Sequence, residues 1–280
     1  FRTIVIKLDS SDGSIIWKSL LESNLTANDY LLGHHLVFDL NDNIIISSNR
    51  GYNSKFIKIS YLDGEIVTTS IIDGYSLILD MVLGSNSDIY TTGQLDSGGM
   101  FFKKYNSNFE LVWSMTFNGS SCSLAYDSIN DLIYFSGAAY DVDMNPLGDP
   151  VNLDYNDNLG WFVASYNSDG IYQDAHLFAT DPNSGAASTK LRVQDDKLIV
   201  FGMYKNIPDL DITSETFFPT VGYNSYVSRY VSIYDLSEGA TLTGQYFLGQ
   251  NNDREVPVEV FLNGNNLIVS TWRDREVELY

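Results

Sequence analysis

Short runs rich in Ile, Val, Phe, Tyr and Leu recur along the whole chain, each closed by Asn, Asp, Gly or Ser. β-Branched and aromatic side chains suit a pleated surface, and Gly, Asn and Asp suit its corners, so the pattern predicts many short strands joined by tight turns. Residues 17–30 come closest to a helix but lack a sustained apolar stripe at a 3.6-residue period. The expected class is all-β.

Two alternating units organise these runs. The first is a strand, a polar turn and a second strand: IVIKLDSSDGSIIW from Ile4, FIKISYLDGEIV from Phe56, FFKKYNSNFELVW from Phe101, FVASYNSDGIYQDA from Phe162 and VSIYDLSEGATLTG from Val231. Four copies place glycine at the corner (Gly13, Gly64, Gly170, Gly239), where a tight hairpin needs positive φ. The third has Phe109 there, so its turn is expected to differ. The second unit reads LVFDLNDNIIISS from Leu36, LDMVLGSNSDIYTTG from Leu79, SLAYDSINDLIYFSG from Ser123, LRVQDDKLIVFG from Leu191 and VEVFLNGNNLIVST from Val258. Its second strand is nearly continuous in apolar residues, as in Ile44-Ile45-Ile46 or Leu198-Ile199-Val200, which indicates burial on both faces.

An inner and an outer pair together make a four-stranded meander with two apolar faces, which is stable only when stacked on its neighbours. Radial stacking of such sheets is the β-propeller. The expectation is therefore one propeller domain over residues 1–280, with five blades favoured. The chain opens with an outer pair and finishes with an inner pair, so its N- and C-terminal strands would close the ring by sharing one blade. In the alternative, residues 276–280 take that outer place and the chain is part of a longer, six- or seven-bladed protein.

Charge narrows the partners. Sixteen basic against thirty-six acidic residues give a net charge of −20, which repels phosphate backbones and anionic membranes and makes nucleic acid an unsuitable partner. No apolar run of about 18 residues is present, so membrane insertion by a helix is not expected. A single cysteine, Cys122, allows neither an internal disulfide nor a cysteine-based zinc site. Opening on Phe1 rather than Met fits a chain relieved of a signal peptide, and so export, or of some other upstream segment.

Asp88-Ile-Tyr-Thr-Thr-Gly93 followed by Phe102-Lys-Lys-Tyr-Asn106 and Leu111-Val-Trp113 resembles the β-propeller-repeat proteins of bacteria and archaea, as does FVASYNSDG from Phe162. Their blades read D-G-N-x-Y-V-T-G and then F-V-A-K-Y-D-x-x-G-x-x-x-W. The D-G-N turn is replaced here by NDN, NSD, IND, DDK and GNN. The resemblance covers nearly the whole chain through structural motifs. It implies a propeller fold, an exported or surface-attached protein in an adhesive or scaffold role, and no shared catalytic residues.

The densest set of oxygen ligands is Asp141, Asp143, Asn145 and Asp149, in the long connection after Gly137. Alternate acids with another at the ninth position match the first part of a calcium loop. Pro146 and Asn152 stand where an EF-hand has glycine and glutamate, so the expectation is an acidic loop closed by Asx turns, with no cofactor. The alternative is a structural calcium ion in a non-helical site. Asp209 and Asp211 echo the pattern one repeat later. Residues 140–160 and 204–223 lengthen the same connection in successive repeats and carry Tyr140, Tyr155, Trp161, Phe217, Phe218 and Tyr223. Aromatic side chains of this kind anchor partners, or else cover the rim of their own sheets.

His34 and His35 are adjacent and on a strand face opposite ways, so they do not chelate jointly; His176 stands apart. Trp17 and Trp113 occupy equivalent repeat positions and are expected to pack between blades; Trp272 beside Arg273 and Arg275 is a stacking surface or a blade edge. Asp39, Asp80 and Asp127 are the carboxylates that inner strands would bring toward an axis, the minimum for glycoside hydrolysis. No Gly-x-Ser-x-Gly elbow, P-loop or dinucleotide fingerprint is present. Asn24 and Asn118 head glycosylation sequons. The expected function is a non-catalytic structural or adhesive module, extracellular or at the cell surface, that binds protein by self-association or at a surface. A lectin or glycoside hydrolase with a glycan partner is the alternative.

Overall fold

The computed structural model describes residues 3–21, 32–50, 53–72, 76–139, 142–153, 160–178, 185–205, 228–237, 241–248, 255–264, 266–273 and 277–279. Among them every regular element is a β-strand. The chain divides into two compact units, Phe1–Ser114 and Met115–Tyr280.

In the first unit, β1 (Ile4–Leu8) and β2 (Ile15–Leu20) form a two-stranded sheet. Strands β3 (Leu32–Phe38), β4 (Ile44–Arg50), β5 (Asn53–Ile59) and β6 (Ile66–Ile72) form an antiparallel meander in chain order. A second meander comprises β7 (Ser76–Leu83), β8 (Ile89–Leu95), β9 (Met100–Tyr105) and β10 (Leu111–Phe117), whose last strand runs across the division. The second unit opens with β11 (Ser120–Asp127) and β12 (Leu132–Ala139), followed by a small hairpin of β13 (Val142–Asp143) and β14 (Asn152–Leu153). β15 (Gly160–Asn167) and β16 (Tyr172–Phe178) then complete the sheet begun by β11 and β12. Next come the meander β17 (Gly185–Gln194), β18 (Lys197–Lys205), β19 (Ser228–Asp235) and β20 (Thr241–Leu248) and a three-stranded sheet of β21 (Glu255–Asn263), β22 (Asn266–Arg273) and β23 (Val277–Leu279). All ten hairpins read from the repeat are formed.

Burial follows the pattern of the sequence. Ile44, Ile45 and Ile46 of β4 and all six residues of β9 are buried, because each of these central strands has a sheet surface on either side. Sheets stack face to face within each unit. Trp17 and Leu21 of the first sheet meet Ile44, Ile46, Ile57 and Ile59 of the next. On the other side of that meander, Ile45 and Phe56 meet Ile78, Met81, Phe101 and Tyr105. In the second unit Val163 packs with Leu191, Leu198 and Tyr234, and Phe201 and Val231 pack with Val260 and Val269. Each such side chain contributes about 1.5–3 kcal/mol on leaving water.

The turn at Phe109 differs from those at Gly13 and Gly64, whose N–H groups bond back four residues to Asp9 and Ser60, but matches the turn at Gly170: φ is 67° and 81°, and both close an i→i+3 bond onto an asparagine, Asn106 or Asn167. The strain of a non-glycine residue there, about 1–2 kcal/mol, is offset by burial of the ring against Phe56, with centroids 5.1 Å apart. Among the described residues β1 pairs with β2, and β22 takes β23 as its neighbour.

One regularity was not visible in the repeat. Each innermost strand carries a β-bulge at the same place, between Gly33 and His35, Ile78 and Asp80, Ser121 and Ser123, Ser188 and Lys190, and Pro257 and Glu259. A bulge adds a residue to one strand and re-aims the side chain that follows. His35, Asp80, Ser123, Lys190 and Glu259 therefore hold equivalent positions.

Candidate interaction surface

The turn end of the first unit combines rigidity with exposed apolar side chains. Asp39 closes the β3–β4 turn: its Oδ1 accepts from the backbone N–H of Asn41 and of Asn43, both at 2.9 Å, and its carboxylate takes the Asn43 amide as well. Lys58 of β5 reaches Asp39 at 3.2 Å, tying the inner turn to the outer pair of the same sheet. Burial pushes the Asp39 carboxyl up, but the bonds from Asn43, Asn41 and Lys58 together outweigh it and hold it below the usual range.

Stitches also run from sheet to sheet. Lys7 and Lys58 sit at the same place in their copies of the outer unit, and each donates to a carbonyl in the following copy's turn: Lys7 to Tyr61 at 3.0 Å and Lys58 to Ser107 at 3.2 Å. Trp17 donates its indole N–H to the same Tyr61 carbonyl at 3.0 Å, and the Leu40 N–H bonds the Ser87 hydroxyl. The Lys7 ammonium lies 3.4 Å from the Tyr61 ring centroid, and Tyr61 meets Phe38 edge-on at 5.9 Å. Lys104, equivalent to Lys58, pairs with Asp88 at 2.8 Å.

On this frame Phe38, Leu40, Tyr61 and Leu62 face solvent, Leu40 at 70% and Leu62 at 83% exposure. A fixed backbone presenting apolar tips loses little entropy on binding, the condition under which such side chains anchor a partner. In the second unit the β11–β12 and β15–β16 turns likewise expose Ile129 and Ile171. They are braced through Asp131, which accepts from Tyr126 at 2.9 Å and from Ser168 at 2.5 Å.

The residues singled out from the sequence fall elsewhere. Asp143 spends Oδ1 on the N–H groups of Asn145 and Val151, both at 2.9 Å, and Asn145 donates its amide to the Asp149 carbonyl at 2.9 Å. These bonds close the β13–β14 hairpin as an Asx-capped turn, and among the described residues no group of three or more His, Cys, Asp or Glu gathers to hold a metal. Val142 and Met144 are buried, and the Tyr166 hydroxyl donates to the Met144 carbonyl at 2.6 Å, so the hairpin is fastened to its own sheet. Burial pushes the Tyr166 hydroxyl pKa well above its ordinary value. Trp161 is not a loop residue: it pairs with Ala138 and Phe178 inside β15 and packs on the core around Leu191. Tyr140, Asp141, Tyr155, Asp209, Asp211, Phe217, Phe218 and Tyr223 lie outside the described residues.

Each weighed carboxylate already has a partner. Asp80 pairs with His35 Nδ1 at 3.1 Å, Asp39 with Lys58, and Asp127 caps its turn through the Ile129 N–H at 2.9 Å. Trp17 packs between sheets as expected, against Gly64, where an added Cβ would meet its ring at 2.7 Å. Trp113 packs on Tyr90 and Phe102 of its own sheet. The lysine stitches were missed because a lysine before a turn reads as solvated; its recurrence at one repeat position was the available signal.

No family model matches the chain, and no curated protein does. Solved structures do. The Dos1 propeller is 10% identical, matching over 99% of this chain and 73% of its own at a TM-score of 0.55. Drosophila semaphorin 1b, extracellular domains 1 and 2, is 9% identical over 85% of this chain at a TM-score of 0.51, and the match spans about half of that protein, 49%. Likeness at this identity defines the fold alone: the chain is an all-β protein of the β-propeller class, built from four-stranded antiparallel sheets.

Proposed function

We propose that this protein is a non-catalytic propeller that binds other proteins, working outside the cytoplasm in a structural or adhesive role. The observation that carries the reading is the braced turn end of the first unit, where Leu40 and Leu62 stand exposed on a backbone fixed by Asp39, Lys58, Lys7 and Trp17. The engagement of Asp39, Asp80 and Asp127 with structural partners supports the absence of catalysis, and the resemblance to surface-attached repeat proteins supports the location.

A photoreactive residue in place of Leu62, expressed in the source organism, tests this. The expected result is a defined protein adduct, lost when Leu40→Ser is added, and no release of reducing sugar from glycans. Sugar release abolished by Asp80→Asn, without a protein adduct, would overturn the proposal in favour of a glycan-active enzyme.

A further inference from the structure

Two solvent-facing leucines depart from the repeat. In the outer turns the position of Leu62, two residues before the corner, is held by Ser11, Ser107, Ser168 and Ser237 in the other copies. In the inner turns the position of Leu40 is held by Ser85 and Ser128 in the next two copies. A solvated serine costs the fold nothing, whereas leucine keeps in water an apolar surface that a partner would cover. Both departures fall in one sheet, β3 to β6, and both side chains are exposed. Leu62 has an equivalent turn on either side, stitched to its own sheet by Lys7 and Lys58, so its exposure belongs to the turn itself.

The two leucines share one end of that sheet. Phe38, Ile44, Ile59 and Ile66 form the last paired row before both turns. The turns therefore leave the sheet side by side, about two strand spacings or ~10 Å apart. Both are closed by hydrogen bonds, the inner through Asp39 and the outer through Gly64 to Ser60 at 3.0 Å and Ser60 to Glu65 at 2.9 Å. A segment of a few residues can span the pair without ordering either turn further.

Charge selects the occupant. Residues 9–14, 39–43, 60–65 and 106–110 include no Lys or Arg, and Asp12, Asp42, Asp63, Glu65 and Glu110 on these four turns are exposed. The Ser14 backbone N–H holds the Asp12 carboxyl below its ordinary range, and the Ser60 hydroxyl does the same for Asp63, so both stay ionised at neutral pH. Lys7, Lys58 and Lys104 are turned onto the Tyr61 carbonyl, Asp39 and Asp88. We infer that this end of the β3–β6 sheet takes a basic segment of a partner protein, whose apolar side chains cover Leu40 and Leu62 while flanking Lys or Arg meet the carboxylates of the neighbouring turns. A second copy fits poorly, because it brings a chain of net charge −20 against the same acids. Anionic lipid is repelled likewise. The inference rests on the protein-interaction reading above and names the class of partner.

Three soluble peptides of equal length test it against the full chain by fluorescence anisotropy. The first is built of lysine and glycine with two leucines, the second has both leucines replaced by serine, and the third has the lysines replaced by glutamate. The first is expected to bind, more weakly as salt is added; the second should bind at least ~10-fold more weakly and the third not detectably. Leu40→Ser with Leu62→Ser installs the residue that other copies carry and so keeps the turns, and it should lower affinity for the first peptide to that for the second. Asp63→Asn with Glu65→Gln should also weaken the first peptide, whereas Asp96→Asn with Asp169→Asn removes the same charge elsewhere and should not. Failure of the first peptide to bind, equal binding of the first and second, or no loss in the double-serine variant overturns the inference. A Leu62 photoadduct with a protein alongside such a failure leaves the interaction reading standing; absence of the adduct as well defeats both.

Discussion

Hairpins β1–β2 and β5–β6 come from the same repeated unit, with Lys7 and Lys58 at one place and Gly13 and Gly64 at one corner, yet their energetic roles differ. In β5, Ile57 and Ile59 are core, with a sheet behind them; in β1, Ile6 and Leu8 face solvent. The difference lies in the neighbour and not in the strand. A periodic sequence encodes which side of a strand is apolar, and only the stacking order decides whether that side contributes to stability.

The comparison can be broken most forcefully at the paired isoleucines. Ile57→Ala should cost roughly 2–5 kcal/mol, the price of an unfilled core site, whereas Ile6→Ala in dilute protein should stay within about 0.5 kcal/mol. Urea denaturation of the two variants measures both, and equal losses would contradict the assignment of faces. Next in size is Gly64→Ala against Gly13→Ala. Both glycines have positive φ, 76° and 74°, but a Cβ at Gly64 meets the Trp17 ring while one at Gly13 meets nothing within 4 Å. Gly64→Ala should therefore cost roughly 1–3 kcal/mol more, read from the same denaturation midpoints.

Lys58→Met against Lys7→Met gives the smallest contrast. Removing Lys58 takes a charge partner from buried Asp39 and should cost about 1–3 kcal/mol, while Lys7 serves an exposed tyrosine and a carbonyl. The sign with pH follows from Asp39. Its folded pKa lies below the unfolded value near ~3.9, so its stabilisation is present above that value and is lost as pH falls through the folded pKa. Lys58→Met should accordingly lose less stability than the parent between pH 7 and pH 3. An unchanged acid loss would show that Lys58 does not hold Asp39 down.

Much of this was legible beforehand. The ten hairpins could be read because strand periodicity and Asx or glycine corners are local signals, and Asn106, Asn167 and Asp39 cap their turns as that chemistry predicts. That Phe109 could share the left-handed corner of Gly170 was not legible, because the benefit that offsets its strained φ comes from Phe56, a residue far away in sequence. The bulges were invisible because an extra residue in one strand is defined only by its partner's register. Of the aromatic residues expected to anchor a partner, Trp161 is part of a packed strand, and the exposed apolar tips Leu40 and Leu62 sit in ordinary two-strand turns. Exposure at a turn depends on the fit of neighbouring sheets, which no single segment carries.

Amide hydrogen exchange tests the central contrast most directly. Residues 53–59 in β5 should be protected, while residues 4–8 of β1 should exchange well before them. Protection of β1 equal to that of β5 would contradict the account.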